Sequence, residues 1–343
     1  MTRHANRAMM IVMAVTMLLL PSLTSSAADR PKYEIKFASV APLGSSWMNV
    51  MDQLDNEVRA ATNGDVGFRM YPGGVQGDEP DVLRKMRFGQ LQGAGFTGNG
   101  LGEILPEMRI LELPFLYRDK AEIDYILDRF TDTFDKAFRD KGYVLLGWTE
   151  VGYVYFFSNV PIRTIDDVRG IKVWTWQGDP LAAKLFKALN VTPVPLSVTE
   201  VLTALQTGMV DAVYTAPMAA ISLQWFTRTK YMNLSPLTNS MGAVLMTKNL
   251  FDKIPPDEQK ALLEISRQKL RELTLLTRRD NRTAIEKLQK AGVEMIPAPS
   301  AEELAKYRKV GEEVRQELIG ELYPASLLEE IEKTLDEYRS GGQ

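Results

Sequence analysis

The segment that most constrains the fold is the middle of the chain, residues 158–217, where strand and helix patterns alternate. A strand pattern at 169–176 is followed by a helix, a second strand, a second helix that begins with the capping pattern at 197–200, and a third strand at 210–214. Strand–helix–strand units of this kind form parallel sheets, whose ligands bind beyond the carboxyl ends of the strands. The segment therefore predicts an α/β protein with a binding site at that edge of the sheet.

One helix pattern is long for a single domain. From Pro256 to about Ala291 no strong helix breaker occurs, and Gly292 favours a stop. A helix of about 35 residues spans on the order of 50 Å, which suits two lobes bridged by one element. The alternative is a pair of helices that is broken near Asp280 and Asn281.

Histidine and cysteine are almost missing from the sequence. The one histidine is His4, and none of the 343 residues is a cysteine. This removes the commonest general base, the thiolate nucleophile and the usual ligands of zinc and copper. The sequence contains no EF-hand loop, phosphate-binding loop or Gly-x-Ser-x-Gly elbow. We therefore expect a protein that is not an enzyme and that holds neither a metal nor a cofactor.

The first 28 residues have the pattern of a secretory signal peptide. Arg3 and Arg7 precede an apolar run at 8–20 that is shorter than the roughly 20 residues of a membrane span, and small residues follow at 25–28. Without these two arginines, 39 basic and 44 acidic residues remain, a charge of −5, and no polybasic stretch suits nucleic acid. We expect a periplasmic protein that is not membrane-embedded after cleavage; an uncleaved signal anchor is the alternative.

Two motifs in the central segment carry a family resemblance, Asp-Val-Arg-Gly-Ile-Lys-Val at 167–173 and Leu-Gln-Thr-Gly-Met-Val-Asp at 205–211. With Tyr-Pro-Gly-Gly at 71–74 and Leu-Pro-Phe at 113–115, the chain resembles the solute-binding proteins of tripartite ATP-independent periplasmic (TRAP) transporters, the DctP-type family, over roughly residues 33–320. The resemblance implies a two-lobed periplasmic-binding-protein fold, type II-like. Each lobe is expected to be a mixed sheet flanked by helices, with a long helix spanning both lobes.

The resemblance also implies a domain organisation and partners. Lobe I is expected to comprise 29–151 plus 241–280, and lobe II 152–240 plus 281–343, with the helix at about 256–291 bridging them. A small organic ligand would bind between the lobes and pass to a TRAP-type membrane permease. We expect a monomer, with a dimer left open.

At the positions where the family holds a ligand carboxylate, this chain has no cation. Val154 and Trp174 match two family arginines, and a family asparagine falls at 215–217. An enclosed carboxylate loses several kcal/mol of hydration and needs a geometrically good charged partner in return. Valine offers no donor and tryptophan only one. Lys172 lies two residues before Trp174, further from the expected cleft mouth.

What replaces the arginines is mostly aromatic, which predicts a ligand that is neutral or largely apolar, or an amphiphile whose acid group stays outside the cleft. The predicted ligand-binding residues are Val154, Phe156, Trp174, Trp176, Gln177, Tyr214, Thr215 and Trp225, with Trp47, Phe96, Thr97 and Asn99 from the first lobe.

Four alternatives remain open from the sequence. One is a periplasmic lipid or hydrophobe carrier for envelope transport on the same fold, which a large, tunnel-like apolar pocket would favour. Another is an organic-acid binder that uses an unrecognised cation. The third is an enzyme on this scaffold, which requires converging carboxylates in the cleft. The fourth is a structural subunit without a ligand-sized cavity.

Overall fold

The computed structural model describes residues 30–341, so the predicted signal peptide lies outside the described residues. Ten strands form one mixed sheet in the order β2-β1-β3-β9-β4-β7-β5-β6, and β8 pairs with both β4 and β10. The strands are β1 (Tyr33–Ala38), β2 (Val66–Tyr71), β3 (Gly93–Thr97), β4 (Tyr143–Ser158), β5 (Lys172–Trp176), β6 (Thr192–Leu196), β7 (Ala212–Thr215), β8 (Tyr231–Asn233), β9 (Thr238–Thr247) and β10 (Glu294–Ile296).

Helices cover the sheet and fill most of the connections. They are α1 (Ser46–Ala61), α2 (Glu79–Arg87), α3 (Gly98–Ile104), α4 (Lys120–Asp140), α5 (Pro180–Ala188), α6 (Val201–Thr207), α7 (Pro217–Ser222), α8 (Lys248–Phe251), α9 (Pro256–Lys290), α10 (Ala301–Glu317) and α11 (Ala325–Gly341), with four short 3₁₀ helices at Pro106–Glu112, Ile165–Val168, Val198–Glu200 and Trp225–Arg228. Within residues 30–341 no helix combines the length and apolar character of a membrane span.

The central segment folds as its pattern predicts. Strand β5 pairs in parallel with β6 on one side and with β7 on the other. The first strands behave in the same way, because β1 pairs in parallel with both β2 and β3. The two parallel groups are joined through β9 and β4, which run antiparallel to their neighbours. The molecule thus has the predicted two-lobed α/β architecture, with the strands of both lobes joined into one mixed sheet.

Strand β4 connects the two parts of the sheet without interruption. The sequence pattern predicts a strand at Tyr143–Trp148 that returns toward a crossover near Gly152, whereas β4 spans 16 residues and ends at Ser158. Two bulges, one of them between Glu150 and Gly152, absorb extra residues relative to β9. Gly152 has a φ of +116°, a conformation that side chains other than glycine rarely adopt.

The long helix α9 is unbroken over 35 residues, so the alternative of two shorter helices is wrong. Its Leu262 and Leu270 belong to the apolar core under β1, whereas Leu288 belongs to the core around Trp174. Nearer its carboxyl end, the Asn281 side-chain amide donates to the Val151 carbonyl at 2.9 Å and accepts from the Met218 amide at 2.9 Å. The helix therefore contributes to the cores of both lobes.

Two other local predictions differ from the structure. The sequence Thr-Gly-Asn-Gly at 97–100 predicts a loop after β3, but these residues begin α3, because the Thr97 hydroxyl accepts a hydrogen bond from the Asn99 amide and caps the helix. Helix α11 packs against α4 through an ion pair between Arg339 and Glu122 at 2.7 Å, although the predicted division places these helices in different lobes. The lobe boundaries stay a prediction.

Candidate functional site

A cavity of about 190 Å³, here called the central cavity, lies where the carboxyl ends of β1, β3, β5 and β7 meet. Because parallel strands end at the same edge of a sheet, the residues that follow them converge there. Strand β4 and helices α1, α7 and α9 close the remaining sides. Six aromatic side chains line it: Trp47, Phe96, Trp174, Trp176, Tyr214 and Trp225.

Trp174 lies at the centre of one wall and is only 1% exposed. Its ring lies 5.1 Å from that of Trp176, 5.3 Å from that of Tyr214 in a stacked arrangement, and 5.1 Å from that of Trp225 edge-on. Its indole N–H donates to the Leu196 carbonyl at 3.1 Å. Its one donor is therefore used, and the wall presents fixed aromatic surface to the cavity.

The position of Trp47 in the cavity wall depends on Gly95. Trp47 stacks on Phe37 with ring centroids 6.1 Å apart, and its far edge lies over Gly95. A Cβ atom at Gly95 would lie 2.4 Å from Cη2 of Trp47, too close for any real contact. Glycine at this position therefore lets the indole lie flat against β3 and leaves the cavity open.

The charged groups of the cavity wall are carboxyls. Within residues 30–341 no lysine or arginine side chain lines the central cavity, whereas Glu79, Glu150 and Asp280 do. Glu150 is fully buried and compensated by Lys120 at 2.6 Å and Arg278 at 2.9 Å. The electrostatic surroundings therefore offer a ligand carboxylate no cation at contact distance.

Glu79 is buried at the start of α2 and faces the cavity. Its carboxyl accepts hydrogen bonds from the Thr97 amide (2.7 Å), the Thr97 hydroxyl (2.9 Å) and the Gly100 amide (2.7 Å). Burial outweighs these hydrogen bonds and raises the pKa of Glu79 to about 7. The side chain consequently changes charge near neutral pH.

A smaller cavity of about 60 Å³, here called the side chamber, adjoins the central cavity. Both are lined by Thr97, Val154, Trp176, Tyr214 and Ser240. The side chamber contains the buried guanidinium of Arg109, which pairs with Glu112 at 3.1 Å and with Asp179 at 3.2 Å. Burial opposes its charge, but Asp179 and Glu112 outweigh this and raise the pKa of Arg109. The guanidinium is thus already compensated.

Two sets of polar contacts hold the cavity walls together. Asp78 caps α2 and also accepts hydrogen bonds from the Trp176 indole at 3.1 Å and from the Val198 amide at 2.8 Å. Arg109 precedes α4 in the chain, and its partner Asp179 caps α5. The first set joins the start of α2 to residues 176 and 198, and the second joins the segment before α4 to the start of α5. Each set thus connects the first part of the chain to the central segment at 158–217.

Most of the predicted ligand-binding residues lie together. Trp47, Phe96, Thr97, Val154, Trp174, Trp176, Tyr214, Thr215 and Trp225 line the central cavity, and Asn99 lines the side chamber. Phe156 and Gln177 line neither of them. Phe156 lies two residues further along β4 than Val154 and packs on Phe186 in the core, with ring centroids 6.4 Å apart. Gln177 follows the end of β5 and is exposed.

Sequence reasoning missed three charged residues of the site, Asp78, Glu79 and Arg109. The signal for Asp78 was its position before a Glu-Pro helix start, which is typical of an N-cap. Glu79 and Arg109 carried no local signal, because their burial arises from contacts with β3 and α5 that are distant in sequence. In the described part of the chain, no group of three or more Asp, Glu or His side chains is arranged to hold a metal ion.

The two-lobed α/β fold and its central cavity have the arrangement expected of a solute-binding protein. A family model described as bacterial extracellular solute-binding protein, family 7 (DctP), matches residues 37–321. The chain belongs to this family, whose members are substrate-binding transport proteins rather than enzymes.

Similar proteins are known by sequence and by structure. The 2,3-diketo-L-gulonate-binding periplasmic protein YiaO of Escherichia coli K12 is 26% identical over 246 residues, which is 71% of this chain and 75% of that protein. A solute-binding protein of Verminephrobacter eiseniae is 28% identical over 220 residues, 64% of this chain and 65% of that protein. The aligned part of this chain thus spans just under two thirds of the length of the latter protein.

Solved structures show the same fold. A TRAP periplasmic solute-binding protein of Xanthobacter autotrophicus Py2 with bound β-D-galacturonate has a TM-score of 0.82 and 23% identity, covering 88% of this chain and 99% of that one. A second one, of Desulfovibrio salexigens with bound orotic acid, has a TM-score of 0.81 and 22% identity, covering 89% of this chain and 98% of that one. These similarities establish the architecture.

Proposed function

We propose that this protein is the periplasmic receptor of a TRAP-type transporter and that its central cavity binds a small neutral or largely apolar organic molecule. Family membership supports the receptor role, because the relatives are solute-binding transport proteins. The ligand class rests on one observation above all: the side chains that line the cavity include six aromatics and no lysine or arginine from residues 30–341.

The energetics favour a ligand without a carboxylate in this cavity. A buried carboxylate loses several kcal/mol of hydration, and a hydrogen bond from a charged group returns about 1.5–3 kcal/mol. At the two family arginine positions, Val154 offers no donor and Trp174 has given its own to Leu196. Glu79 in the wall adds repulsion whenever it is ionised. Burial of apolar surface, at about 25 cal/mol per Å², is the main favourable term that remains.

The size of the cavity favours a small molecule over a lipid. Pockets for drug-sized ligands have volumes of about 300–1,000 Å³, whereas the central cavity has about 190 Å³. A long acyl chain would need a tunnel. This observation argues against the alternative of a lipid carrier for envelope transport, and the presence of a ligand-sized cavity argues against a purely structural subunit.

A second candidate function is organic-acid binding through Arg109. The solved structures named above hold galacturonate and orotate, both acids, and Arg109 lines the side chamber. In this conformation the guanidinium is paired with two buried carboxylates, Glu112 and Asp179. An acid would have to displace one of them, which leaves that carboxylate buried without its cation.

Delivery and location follow from the proposed role. The receptor would travel in the periplasm, close over its ligand and open on the membrane permease. Asp78 would supply contacts that form on closure, because its carboxylate joins the start of α2 to Trp176 and Val198. A ligand that contacts both walls of the cavity would shift the hinge equilibrium toward the closed form.

A thermal-shift panel tests the ligand class. The acids D-galacturonate, D-glucuronate and orotate are compared with neutral aromatic and alicyclic compounds of similar size at pH 7.5. A ligand at 100 times its Kd stabilises by about 2.7 kcal/mol, which raises Tm by several degrees. We expect neutral compounds alone to do so. Stabilisation by the acids alone would overturn the proposal and favour Arg109 as the anchor.

A further inference from the structure

The residues of the side chamber indicate which functional group of the ligand binds there. We infer that the ligand binds in two parts: its apolar body fills the central cavity, and a neutral hydrogen-bond acceptor, such as a carbonyl or ether oxygen, enters the side chamber and binds the Asn99 amide. This inference rests on the proposed function and extends it, because a purely apolar ligand would leave the side chamber unused.

The first observation is an unused donor on Asn99. This side chain lines the side chamber and is 6% exposed. Its Nδ2 atom is buried and has no hydrogen-bond partner within residues 30–341. Buried polar groups in folded proteins are almost always paired, because an unpaired one costs about as much as a lost hydrogen bond. A buried donor at a cavity wall therefore indicates an acceptor that comes from outside the chain.

The second observation is that the two cavities share a wall. Thr97, Val154 and Trp176 line both of them, so one molecule can reach from the aromatic surface of Trp174 to the chamber that contains Asn99. Asn99 lies two residues after Thr97, in the first turn of the helix that Thr97 caps, so its backbone is fixed relative to the shared wall. The central cavity takes the apolar part, since its wall is mostly aromatic.

The third observation is the charge of the side chamber, which excludes an anionic head group. Arg109 faces two carboxyls, Glu112 and Asp179, and the three groups sum to −1 when both carboxyls are ionised. Burial raises the pKa of Glu112, and when Glu112 holds a proton the sum is zero. In neither state does the chamber carry the net positive charge that a carboxylate requires. A neutral acceptor can bind in both protonation states of Glu112, because it needs no net positive charge.

The test uses three probes with one phenylethyl body: 4-phenylbutan-2-one, butylbenzene and 3-phenylpropanoate. The ketone carries a neutral acceptor, the hydrocarbon carries none, and the acid replaces the ketone methyl by a charged oxygen. Dissociation constants are measured by calorimetry at pH 7.5 on the ligand-free protein. We expect the ketone to bind about tenfold more tightly than butylbenzene, and the acid to bind most weakly.

Variants assign this preference to the amide. Asn99→Leu keeps the size of the side chain and removes the donor, so the tenfold preference for the ketone over butylbenzene should fall to about one. Asn99→Asp is a second variant that replaces the donor by a carboxyl oxygen and should give the same loss. Asn239→Leu is the matched control, since Asn239 is also a buried asparagine with an unpartnered atom but lines neither cavity.

The outcomes separate this inference from the function on which it rests. Equal binding of ketone and hydrocarbon, or a ketone preference that survives in both Asn99 variants, would overturn the inference and leave the apolar-ligand proposal standing. Tightest binding by the acid, or no binding of either neutral probe, would overturn both. Loss of the preference in Asn99→Leu and Asn99→Asp but not in Asn239→Leu would support it.

Discussion

The Asp78 carboxylate lies 3.1 Å from the indole nitrogen of Trp176, 98 residues away in sequence. Trp176 lines both cavities, so this hydrogen bond ties a ligand-facing ring to the start of α2 on the other side of the cavity. The same carboxylate accepts from the Val198 amide at 2.8 Å. We infer that Asp78 holds the closed form together and that ligand binding and closure are coupled through it.

Replacing Asp78 by alanine should weaken ligand binding about tenfold or more, because the closed form loses two hydrogen bonds to a charged acceptor, each worth about 1.5–3 kcal/mol. Stability should also fall by about 1 kcal/mol from loss of the helix cap. Asp119→Ala is the matched control, since Asp119 caps α4 and is exposed there. Calorimetry measures the ligand affinity, and urea denaturation measures the free energy of unfolding. Equal effects of both variants on affinity would contradict the coupling.

Glu79 predicts a pH dependence of stability. Its pKa is raised to about 7 in the folded protein, from an ordinary value of 4.5, so the folded state binds the extra proton between these pH values. The free energy of unfolding should therefore fall as pH rises from about 4.5 to about 7, by up to about 3 kcal/mol. Apolar ligands should also bind more weakly above pH 7, because the wall then carries another charge.

The variant Glu79→Gln should flatten this part of the stability profile, since its side chain stays neutral at all pH values. Glu103→Gln, which removes an exposed carboxyl of α3, is the control and should keep the slope of the unmodified protein. Urea denaturation at pH 5, 6, 7 and 8 measures both variants. A slope that is unchanged in Glu79→Gln would show that another group titrates.

Gly95 should control the volume of the central cavity. In Gly95→Ala the new methyl group would lie 2.4 Å from the Trp47 ring, so the indole must move into the cavity. We expect the protein to fold and its affinity for apolar ligands to fall about tenfold or more. Combining this change with Trp47→Phe should restore part of the affinity, because the smaller ring leaves room for the methyl group. Failure of this rescue would contradict the steric explanation.

Arg109 should act on stability rather than on ligand affinity. Arg109→Met leaves the buried carboxyls of Glu112 and Asp179 without a cation, which costs about 3–5 kcal/mol. Affinity for neutral ligands, measured on the folded fraction, should change less than threefold. If the variant instead keeps its stability and loses the ability to bind acids, Arg109 is a ligand anchor and the second candidate function is correct.

Much of the fold could be predicted from local patterns. The alternation in the central segment predicted β5 to β7 and their helices, and the absence of breakers predicted α9 as one helix. The extent of β4 could not be predicted, because the bulge at Gly152 is defined by its pairing with β9. The helix at 98–104 was missed because its three glycines are typical of a loop.

The candidate site was predictable where strand ends define it. Val154 lies at the cavity because β4 runs antiparallel to β7 and passes its carboxyl end. Trp174 and Tyr214 lie there because they are near the carboxyl ends of parallel strands that meet at one edge. Gln177 was predicted on the same ground, but the chain turns at Gly178, whose φ is +84°, and the glutamine is exposed. The buried charges of Glu79 and Arg109 depend on tertiary contacts that no local pattern contains.

Native mass spectrometry of the protein, isolated from periplasmic extract without denaturation, tests the central claim most directly. The mass difference between the native and the denatured protein gives the mass of a bound molecule, and tandem fragmentation identifies its functional groups. We predict one small molecule without a carboxylate, mostly hydrocarbon or aromatic. A bound sugar acid or other organic carboxylate would contradict the claim that this cavity has exchanged a cationic anchor for aromatic surface.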